Sequence, residues 1–128
     1  MPSGIVARHS SRFCLPITSD APKRTDHLAR SLLHLMLGVH ETAVRHRAEH
    51  CLAMFVSLAL AQRRPAGADL VCEIRTDEEH VFVTVEYPQP PEDMPQTSPR
   101  LDVLHEAADA YGTYVSGRTR HLWAAVSR

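Results

Sequence analysis

The segment ETAVRHRAEHCLAMFVSLALAQRR, from Glu41 to Arg64, is the longest periodic apolar stretch of the chain. Its apolar residues recur at steps of three and four, the spacing that places side chains on one face of an α-helix. Between Cys51 and Ala61 it is apolar on nearly every side, so this half must be buried over most of its surface. We therefore predict a central core helix, ended by Gln62–Arg64 and stopped by Pro65–Gly67.

Length and composition limit the class of protein. The 128 residues carry a net charge of −1, with 44% hydrophobic and 23% charged residues, which are values typical of one globular domain. This charge balance offers no general attraction to nucleic acid or an anionic membrane. No run approaches the ~18 apolar residues of a membrane span. The three cysteines are scattered, as in reduced cytoplasmic proteins, so we expect a cytoplasmic protein without nucleic-acid or membrane partners.

The N-terminal part predicts an arm followed by an edge strand. Residues Met1–Arg12 are polar and aperiodic, which is typical of a disordered arm, so we predict one domain from residue 13 to residue 128. Phe13–Ile17 favours a short strand. Pro16 places that strand at an edge, because proline has no N–H for a ladder hydrogen bond.

A first helix is predicted after this strand, ending near Leu37. Ser19–Pro22 provide a capping side chain followed by proline in the first turn, which is a helix start. Gly38 is the natural residue after its end. The apolar period predicts a buried stripe of four residues with two flanking ones. The stripe consists of Leu28, Leu32, Leu35 and Met36, flanked by Leu33 and Leu37.

The second half of the chain predicts strands and one further helix. Leu70–Arg75 and Val81–Val85 alternate in polarity and indicate a hairpin with a charged turn between them. Five prolines from Pro88 to Pro99 exclude regular structure in that stretch. A short helix and a second hairpin with a turn at Ser116–Arg118 are predicted to close the chain. Their ranges are Leu101–Ala110, Tyr111–Val115 and Leu122–Val126.

The order of these elements defines a fold class. It runs strand, helix, helix, hairpin, irregular loop, helix, hairpin. Helices segregated from an antiparallel-rich sheet predict an α/β (α+β) two-layer sandwich, in which about three helices cover a mixed, mostly antiparallel sheet.

Three local segments stand out in this order of elements. Asp26–Arg30 lies in the first helix, Glu106–Gly112 ends on an aromatic-glycine pair, and Gly117–Ala124 is a hairpin with a tryptophan in the final strand. Together with the order of elements, these segments resemble the first helix, the closing helix and the last hairpin of the histidine-kinase-like (GHKL, or Bergerat) ATPase domain. The resemblance is to the small anti-sigma regulatory factors of actinobacteria in particular.

The resemblance also identifies nucleotide-site positions at which this chain departs from the family. The family places a glutamate base on the central helix and, four residues later, an asparagine that holds Mg²⁺. Here those positions are Met54 and Leu58, and neither side chain accepts a proton or supplies the oxygen that Mg²⁺ requires.

Two further nucleotide elements are missing by the same comparison. The family's adenine-binding aspartate corresponds to a position near Tyr87, and its glycine-rich phosphate turn corresponds to Ser98-Pro99-Arg100. Pro99 lacks the N–H that a phosphate cradle would use. The resemblance therefore implies a non-catalytic regulatory module without a cofactor. Its implied partners are a sigma factor, an anti-anti-sigma (STAS-type) protein, or a second copy of itself, contacting the first helix and the proline-rich loop.

Two enzymatic alternatives remain open at this point. The first is a diverged ATP-dependent serine kinase, with Glu92, Asp93 and Arg100 forming an unorthodox site. The second is a metal-dependent hydrolase, because His46 to His50 match the zinc-binding pattern H-x-x-E-H, with Glu49 as the base.

Overall fold

The computed structural model describes residues 9–61, 68–89 and 101–128. Strand β1 is followed by two helices, α1 and α2, then by strands β2 and β3, a short 3₁₀ turn, and strands β4 and β5. Their ranges are β1 His9–Pro16, α1 Ala21–Met36, α2 Thr42–Ala61, β2 Asp69–Thr76, β3 His80–Pro88, the 3₁₀ turn Asp102–Leu104, β4 Ala110–Ser116 and β5 Thr119–Ser127.

The five strands form one sheet in the order β1-β2-β3-β5-β4, and every neighbouring pair is antiparallel. The helices lie on one face, with α1 over β1 and β2 and α2 over β3 and β5. The predicted two-layer α+β sandwich is therefore confirmed. The sheet was predicted to be mixed, but the described strands are all antiparallel. The reason is that β5 pairs antiparallel with both β3 and β4, so that β4 lies at the edge.

Alternation along β2, β3 and β5 builds the sheet side of the core. Because neighbouring side chains of a strand point to opposite faces, every second residue faces the helices and is buried. These residues are Leu70, Cys72, Ile74, Val81, Val83, Val85, Tyr87, Leu122, Ala124 and Val126. The helix side comes mainly from α2, through Ala48, Cys51, Leu52, Phe55, Val56 and Ala59. Each large apolar side chain removed from water contributes roughly 1.5–3 kcal/mol.

The predicted buried stripe of α1 is wrong for two of its four members. Leu32 and Met36 pack half-buried against the core, whereas Leu28 has 38% and Leu35 has 82% of its surface exposed. The fully buried positions recur at steps of four and are mainly small. The buried residues of α1 are Ala21, Thr25, Ala29 and Leu33. Alanine and threonine let the helix axis approach the sheet closely, whereas a stripe of leucines would hold it away. The larger side chains are therefore displaced to the flank.

Strand β1 begins at His9, four residues before the predicted start, and residues 9–12 pair with residues 73–76 of β2. The prediction of a disordered arm is therefore wrong for residues 9–12. Its remaining part, residues 1–8, lies outside the described residues. The strand extends through polar residues because its backbone pairs with β2, which requires no apolar side chain.

Pro16 lies on an edge strand, as predicted. The N–H of Ile17 donates to the carbonyl of Ala68 across 3.1 Å. Alternate residues of a strand turn their backbone groups the same way, so Pro16 occupies a position whose N–H would point away from the sheet. The proline therefore costs no ladder hydrogen bond.

The predicted third helix, Leu101–Ala110, is wrong. Only Asp102–Leu104 forms a 3₁₀ turn, and β4 already begins at Ala110. Two contacts hold the end of this segment, and the second takes an N–H that a helix would direct to the carbonyl of residue 105. The Nε of Arg47 on α2 donates to the carbonyl of Ala107 at 3.0 Å, and the N–H of Asp109 donates to Ala125 in β5 at 2.9 Å.

Helix α2 begins at Thr42, as predicted, and is described to Ala61. Its predicted stop at residues 62–67 lies outside the described part.

The two predicted hairpins are present as β2–β3 and β4–β5. The second turns through Gly117, whose φ of +62° is a conformation that only glycine adopts easily.

Gly112 in β4 is opposite Trp123 in β5, and the indole lies against it. A Cβ added at Gly112 would stand 2.9 Å from the indole Nε1 and 3.0 Å from two ring carbons. Gly38 offers a contrast, since the nearest atom to an added Cβ there is a Glu41 carboxylate oxygen at 3.5 Å, an ordinary contact.

Gly112→Ala should therefore lower the free energy of unfolding by roughly 1–3 kcal/mol, the cost of forcing extra volume into a packed site. Urea unfolding followed by the fluorescence of the single tryptophan measures this cost, and the folded-state emission should shift as the indole moves. Gly38→Ala is the control and should change stability by less than about 0.5 kcal/mol. Equal stabilities for the two variants would contradict the packing described.

Arg128 joins the α1–α2 turn to the β2–β3 turn. Its guanidinium donates to both carboxylate oxygens of Glu41 at 2.8 Å and to the carbonyl of Asp77 at 2.6 Å. Glu41 also accepts the N–H of Gly38 at 3.0 Å. The hydrogen bonds from Arg128 and Gly38 lower the pKa of Glu41 from its usual 4.5 to about 2.

Since the pKa of Glu41 is lower in the folded state, this network stabilises the protein fully above about pH 4.5. The contribution is lost as the pH falls towards about 2. Glu41→Gln should therefore cost about 1 kcal/mol at pH 7, in the range expected for a charged hydrogen bond at a partly exposed site. Urea titrations at pH 7 and pH 3 should show the difference from wild type shrinking at the lower pH. The exposed Glu106→Gln is the control, and a pH-independent difference would refute the assignment.

Candidate functional site

Met54 and Leu58, the predicted positions of a lost base and a lost Mg²⁺ ligand, lie one turn apart on α2 and are both half-buried. Both pack against the hydrophobic core. A thioether and an alkyl group neither take up a proton at neutral pH nor bind a hard cation. This face of α2 therefore acts as packing surface.

Tyr87 lies near the end of β3, with only 1% of its surface exposed, and belongs to the same core. It is opposite Arg120 in β5. Its hydroxyl is buried without a hydrogen-bond partner in the described structure. Burial raises the pKa of the phenol. The side chain thus fills interior space and presents no carboxylate at the position that the resemblance assigns to adenine recognition.

The closing segment, residues 101–109, flanks α2 and is fixed by a charged contact. Arg47 donates through Nη2 to the carboxylate of Asp109 at 3.2 Å, in addition to its bond to Ala107. The same carboxylate accepts the N–H of Ser127 at 2.5 Å. These hydrogen bonds, led by the one from Ser127, lower the pKa of Asp109. Helix α2, the closing segment and β5 are therefore joined through one aspartate.

The H-x-x-E-H residues do not form a metal site in the described structure. His46 and His50 are exposed, whereas Glu49 is half-buried and lies 3.7 Å from Arg45 in an ion pair. Within residues 9–61, 68–89 and 101–128, no group of three or more histidine, cysteine or acidic side chains is placed to hold a metal ion. The hydrolase hypothesis therefore lacks a third ligand there.

Several predicted positions lie outside the described residues. They are Ser98 and Arg100 of the predicted phosphate turn, and Glu92 and Asp93 of the unorthodox kinase site.

The turn between α1 and α2 carries a surface cavity of about 290 Å³. Val39, with 87% of its surface exposed, lies on its rim. A guanidinium nitrogen of Arg45 stands 2.8 and 3.1 Å from the two ring nitrogens of His34. Apolar and basic groups therefore meet at this turn.

The sheet face opposite the helices carries an aromatic row. Tyr114 and His121 stack with ring centroids 4.4 Å apart, and the Nδ1 of His121 is 3.4 Å from a Glu86 oxygen. Beside them a cavity of about 320 Å³ lies between Phe82 and Trp123. This face is half-buried by its own side chains, and neither α1 nor α2 covers it.

Comparison with known proteins gives a likeness of fold. No protein-family model matches the sequence, and no curated protein is similar to it. Among solved structures, the chain is similar to the crystal structure of the RsbU and RsbW domains of Rv1364c from Mycobacterium tuberculosis, with a TM-score of 0.71 and 13% sequence identity. The match covers 94% of this chain and spans 33% of the other. At this identity the likeness establishes the shared α+β sandwich.

No helix within the described residues is long and apolar enough to cross a lipid bilayer.

Sequence reasoning missed the structural arginines. Arg47 lies inside the H-x-x-E-H pattern, yet its role is to hold the closing segment. Arg128 is the last residue, yet it links the two turns. No local signal identifies such residues, because their partners lie 51 to 87 positions away along the chain.

The unpartnered hydroxyl of Tyr87 allows a direct test of the filled interior. Removing a buried group that makes no hydrogen bond avoids its desolvation cost, so Tyr87→Phe should leave stability unchanged or raise it by about 1 kcal/mol. Urea unfolding compares it with Tyr114→Phe, an exposed control that should be neutral. A loss of stability on Tyr87→Phe would mean that the hydroxyl has a partner.

Proposed function

We propose that this protein is a non-catalytic regulatory module that works by binding another protein, in the manner of an anti-sigma factor without a nucleotide site. The observation that supports the proposal most is the packing of Met54, Leu58 and Tyr87 against the core. These are the three positions within the described residues at which the family resemblance places the base, the Mg²⁺ ligand and the adenine contact. A thioether, an alkyl group and a buried phenol offer no base and no ligand for Mg²⁺ at these three positions.

The α1–α2 turn is our proposed contact surface for the partner. Val39 is almost wholly exposed, and the adjoining cavity is lined by apolar side chains and by the charged Glu41 and Arg45. Exposed apolar side chains beside polar groups are typical of protein-binding surfaces. A sigma factor or a STAS-type protein is the partner that the resemblance favours, and the similarity of fold to a structure containing an RsbW domain is consistent with a regulatory role. Such a partner would place the protein in the cytoplasm.

Isothermal titration of the full chain with ATP and Mg²⁺ tests the loss of nucleotide binding. We expect no heat of binding at nucleotide concentrations up to about 1 mM, because a site without charged or oxygen ligands offers at most a few kcal/mol. Micromolar binding would overturn the proposal. Transfer of phosphate from ATP to a serine of a STAS-type protein would support the kinase alternative instead.

Binding to a protein partner is the second part of the test. A partner recovered from the native host should bind the purified chain equally well with and without ATP. Val39→Glu should weaken that binding roughly tenfold or more, since it places a charge in an apolar contact. Val103→Glu is the matched control, because Val103 is also exposed, at 52%, but lies on the closing segment. Equal binding by both variants would remove the turn from the interface.

A further inference from the structure

The sheet face opposite the helices carries a trough with aromatic walls. Phe82 on β3 is opposite Ala125 on β5, which is opposite Ala110 on β4. The two alanines form a low floor, because each side chain is a single methyl group. Phe82 stands on one side of this floor, and Trp123 and Tyr114 stand on the other. We call these five residues, which line the cavity of about 320 Å³, the aromatic trough.

Each ring of the aromatic trough is held from behind by a neighbour on the same sheet face. The contacts are Tyr114 stacked on His121 with centroids 4.4 Å apart, Phe82 beside His80 with centroids 5.7 Å apart, and Trp123 against Gly112. A ring that is already fixed loses little conformational freedom when a ligand binds. The walls are therefore preorganised for contact.

The polar groups at the aromatic trough are mainly hydrogen-bond donors. The guanidinium of Arg75 and the indole of Trp123 only donate, and the hydroxyls of Thr84 and Tyr114 are able to donate. Among the described residues, none with a carboxylate lines this cavity. The charge of Arg75 is balanced by Glu73, whose carboxylate lies 2.9 Å from its Nε. The aromatic trough thus complements a neutral ligand that brings acceptors and apolar surface.

We propose that the aromatic trough binds a proline-rich segment of another polypeptide in the polyproline II conformation. Proline rings pack well on aromatic side chains, and grooves lined by such side chains are a recurring way of recognising proline-rich segments. Proline has no N–H, so the segment brings carbonyl acceptors and few donors. Because the polyproline II helix makes no internal hydrogen bonds, those carbonyls are available to the donors of the trough.

The dimensions of the aromatic trough favour this occupant over a helix or a β-strand. Phe82 and Trp123 are diagonal neighbours, since Trp123 is opposite Thr84, and the Cα atoms of such a pair lie about 7–8 Å apart. An α-helix with its side chains is about 10–12 Å wide, which is too wide to enter. A β-strand lying on a sheet face would leave its N–H groups without acceptors there.

The length of the aromatic trough sets the length of the segment. The cavity reaches from Arg75 on β2 to Tyr114 on β4, and these strands are separated by β3 and β5. Three strand spacings amount to about 14 Å. A polyproline II helix rises about 3.1 Å per residue, so about five residues span the trough.

Titration of the full chain with a synthetic decaproline peptide tests the proposal. The protein has a single tryptophan, so its fluorescence reports directly on the trough. The peptide should shift the emission of Trp123 to shorter wavelengths in a saturable way, with a dissociation constant below about 1 mM. In ¹H–¹⁵N correlation spectra, the amides of β3, β4 and β5 should move most. A Gly-Ser repeat of equal length is the control peptide and should cause neither change, because it has no proline rings.

A pair of variants on β4 locates the site. Tyr114→Ala removes part of one wall and should weaken decaproline binding roughly tenfold. Tyr114 is 53% exposed on an edge strand, so the variant should keep the circular dichroism spectrum of the wild type. Val115→Ala is the matched control, because Val115 is the next residue, is 45% exposed and points to the opposite sheet face. Phe82→Ala removes the other wall and should weaken binding to a similar extent.

A wild-type chain that shows no response at about 5 mM decaproline would overturn the proposal. Equal responses to the two peptides, or equal binding by Tyr114→Ala and Val115→Ala, would also overturn it. Amide shifts centred on the α1–α2 turn would place the peptide elsewhere and contradict the assignment. Shifts of the trough amides with protein concentration alone would assign this face to a second copy instead. Neither ATP nor the regulatory partner enters these measurements, so their failure is distinct from a failure of the proposed function.

Discussion

The apolar surface of α2 must be removed from water, and the architecture satisfies this requirement by placing the helix across the middle of the sheet. Six residues of α2 are buried, and the strands beneath it are β3 and β5. Each strand turns one row of alternate side chains towards the helices. A helix above two neighbouring strands therefore packs on two apolar rows, whereas a helix beyond the last strand would pack on one. The closing segment and its buried Leu104 cover part of what remains. The burial of α2 therefore requires β3 and β5 to be neighbours beneath it, and it requires the closing segment to lie beside it.

The same requirement bears on function. Phe55 and Val56 are fully buried, and Met54 and Leu58 beside them complete the apolar cover of α2. A carboxylate at either half-buried position would lose part of its hydration against the apolar core, and this loss disfavours its charged form. Packing and nucleotide chemistry thus compete for this face of α2, and the side chains present serve packing. Under the proposed function, activity is therefore expected at the exposed surfaces of the domain.

Charged side chains act at the margins of the core rather than within it. Arg47 and Arg128 each connect segments that are distant in sequence, and each donates to a backbone carbonyl as well as to a carboxylate. A bond to a carbonyl fixes the path of the backbone, whereas an exposed ion pair alone contributes little. Arg47 in this way holds the closing segment against α2. The motif-like histidines on either side of it remain in solvent.

The sequence by itself determined the elements whose signals are local. The apolar period of Val44–Leu60 predicted α2, and the alternating polarity of β2 and β3 predicted their hairpin. Gly117 marked the turn of the last hairpin. The class of sandwich followed from the order of these elements. In the candidate site, the apolar character of positions 54, 58 and 87 was equally readable from the sequence, because it depends on residue type alone.

Only the tertiary structure decided the rest. Which flank of α1 is buried depends on how closely its alanines approach the sheet, so the leucines that dominate the helical period face outwards instead. Residues 9–12 form a strand because β2 offers backbone partners, and the helix predicted from Leu101 is cut short because the N–H of Asp109 donates to Ala125 in β5. The physical reason is common to all three. Side-chain periodicity is set within a few residues, whereas the competition for backbone hydrogen bonds and for space is settled by partners elsewhere in the chain.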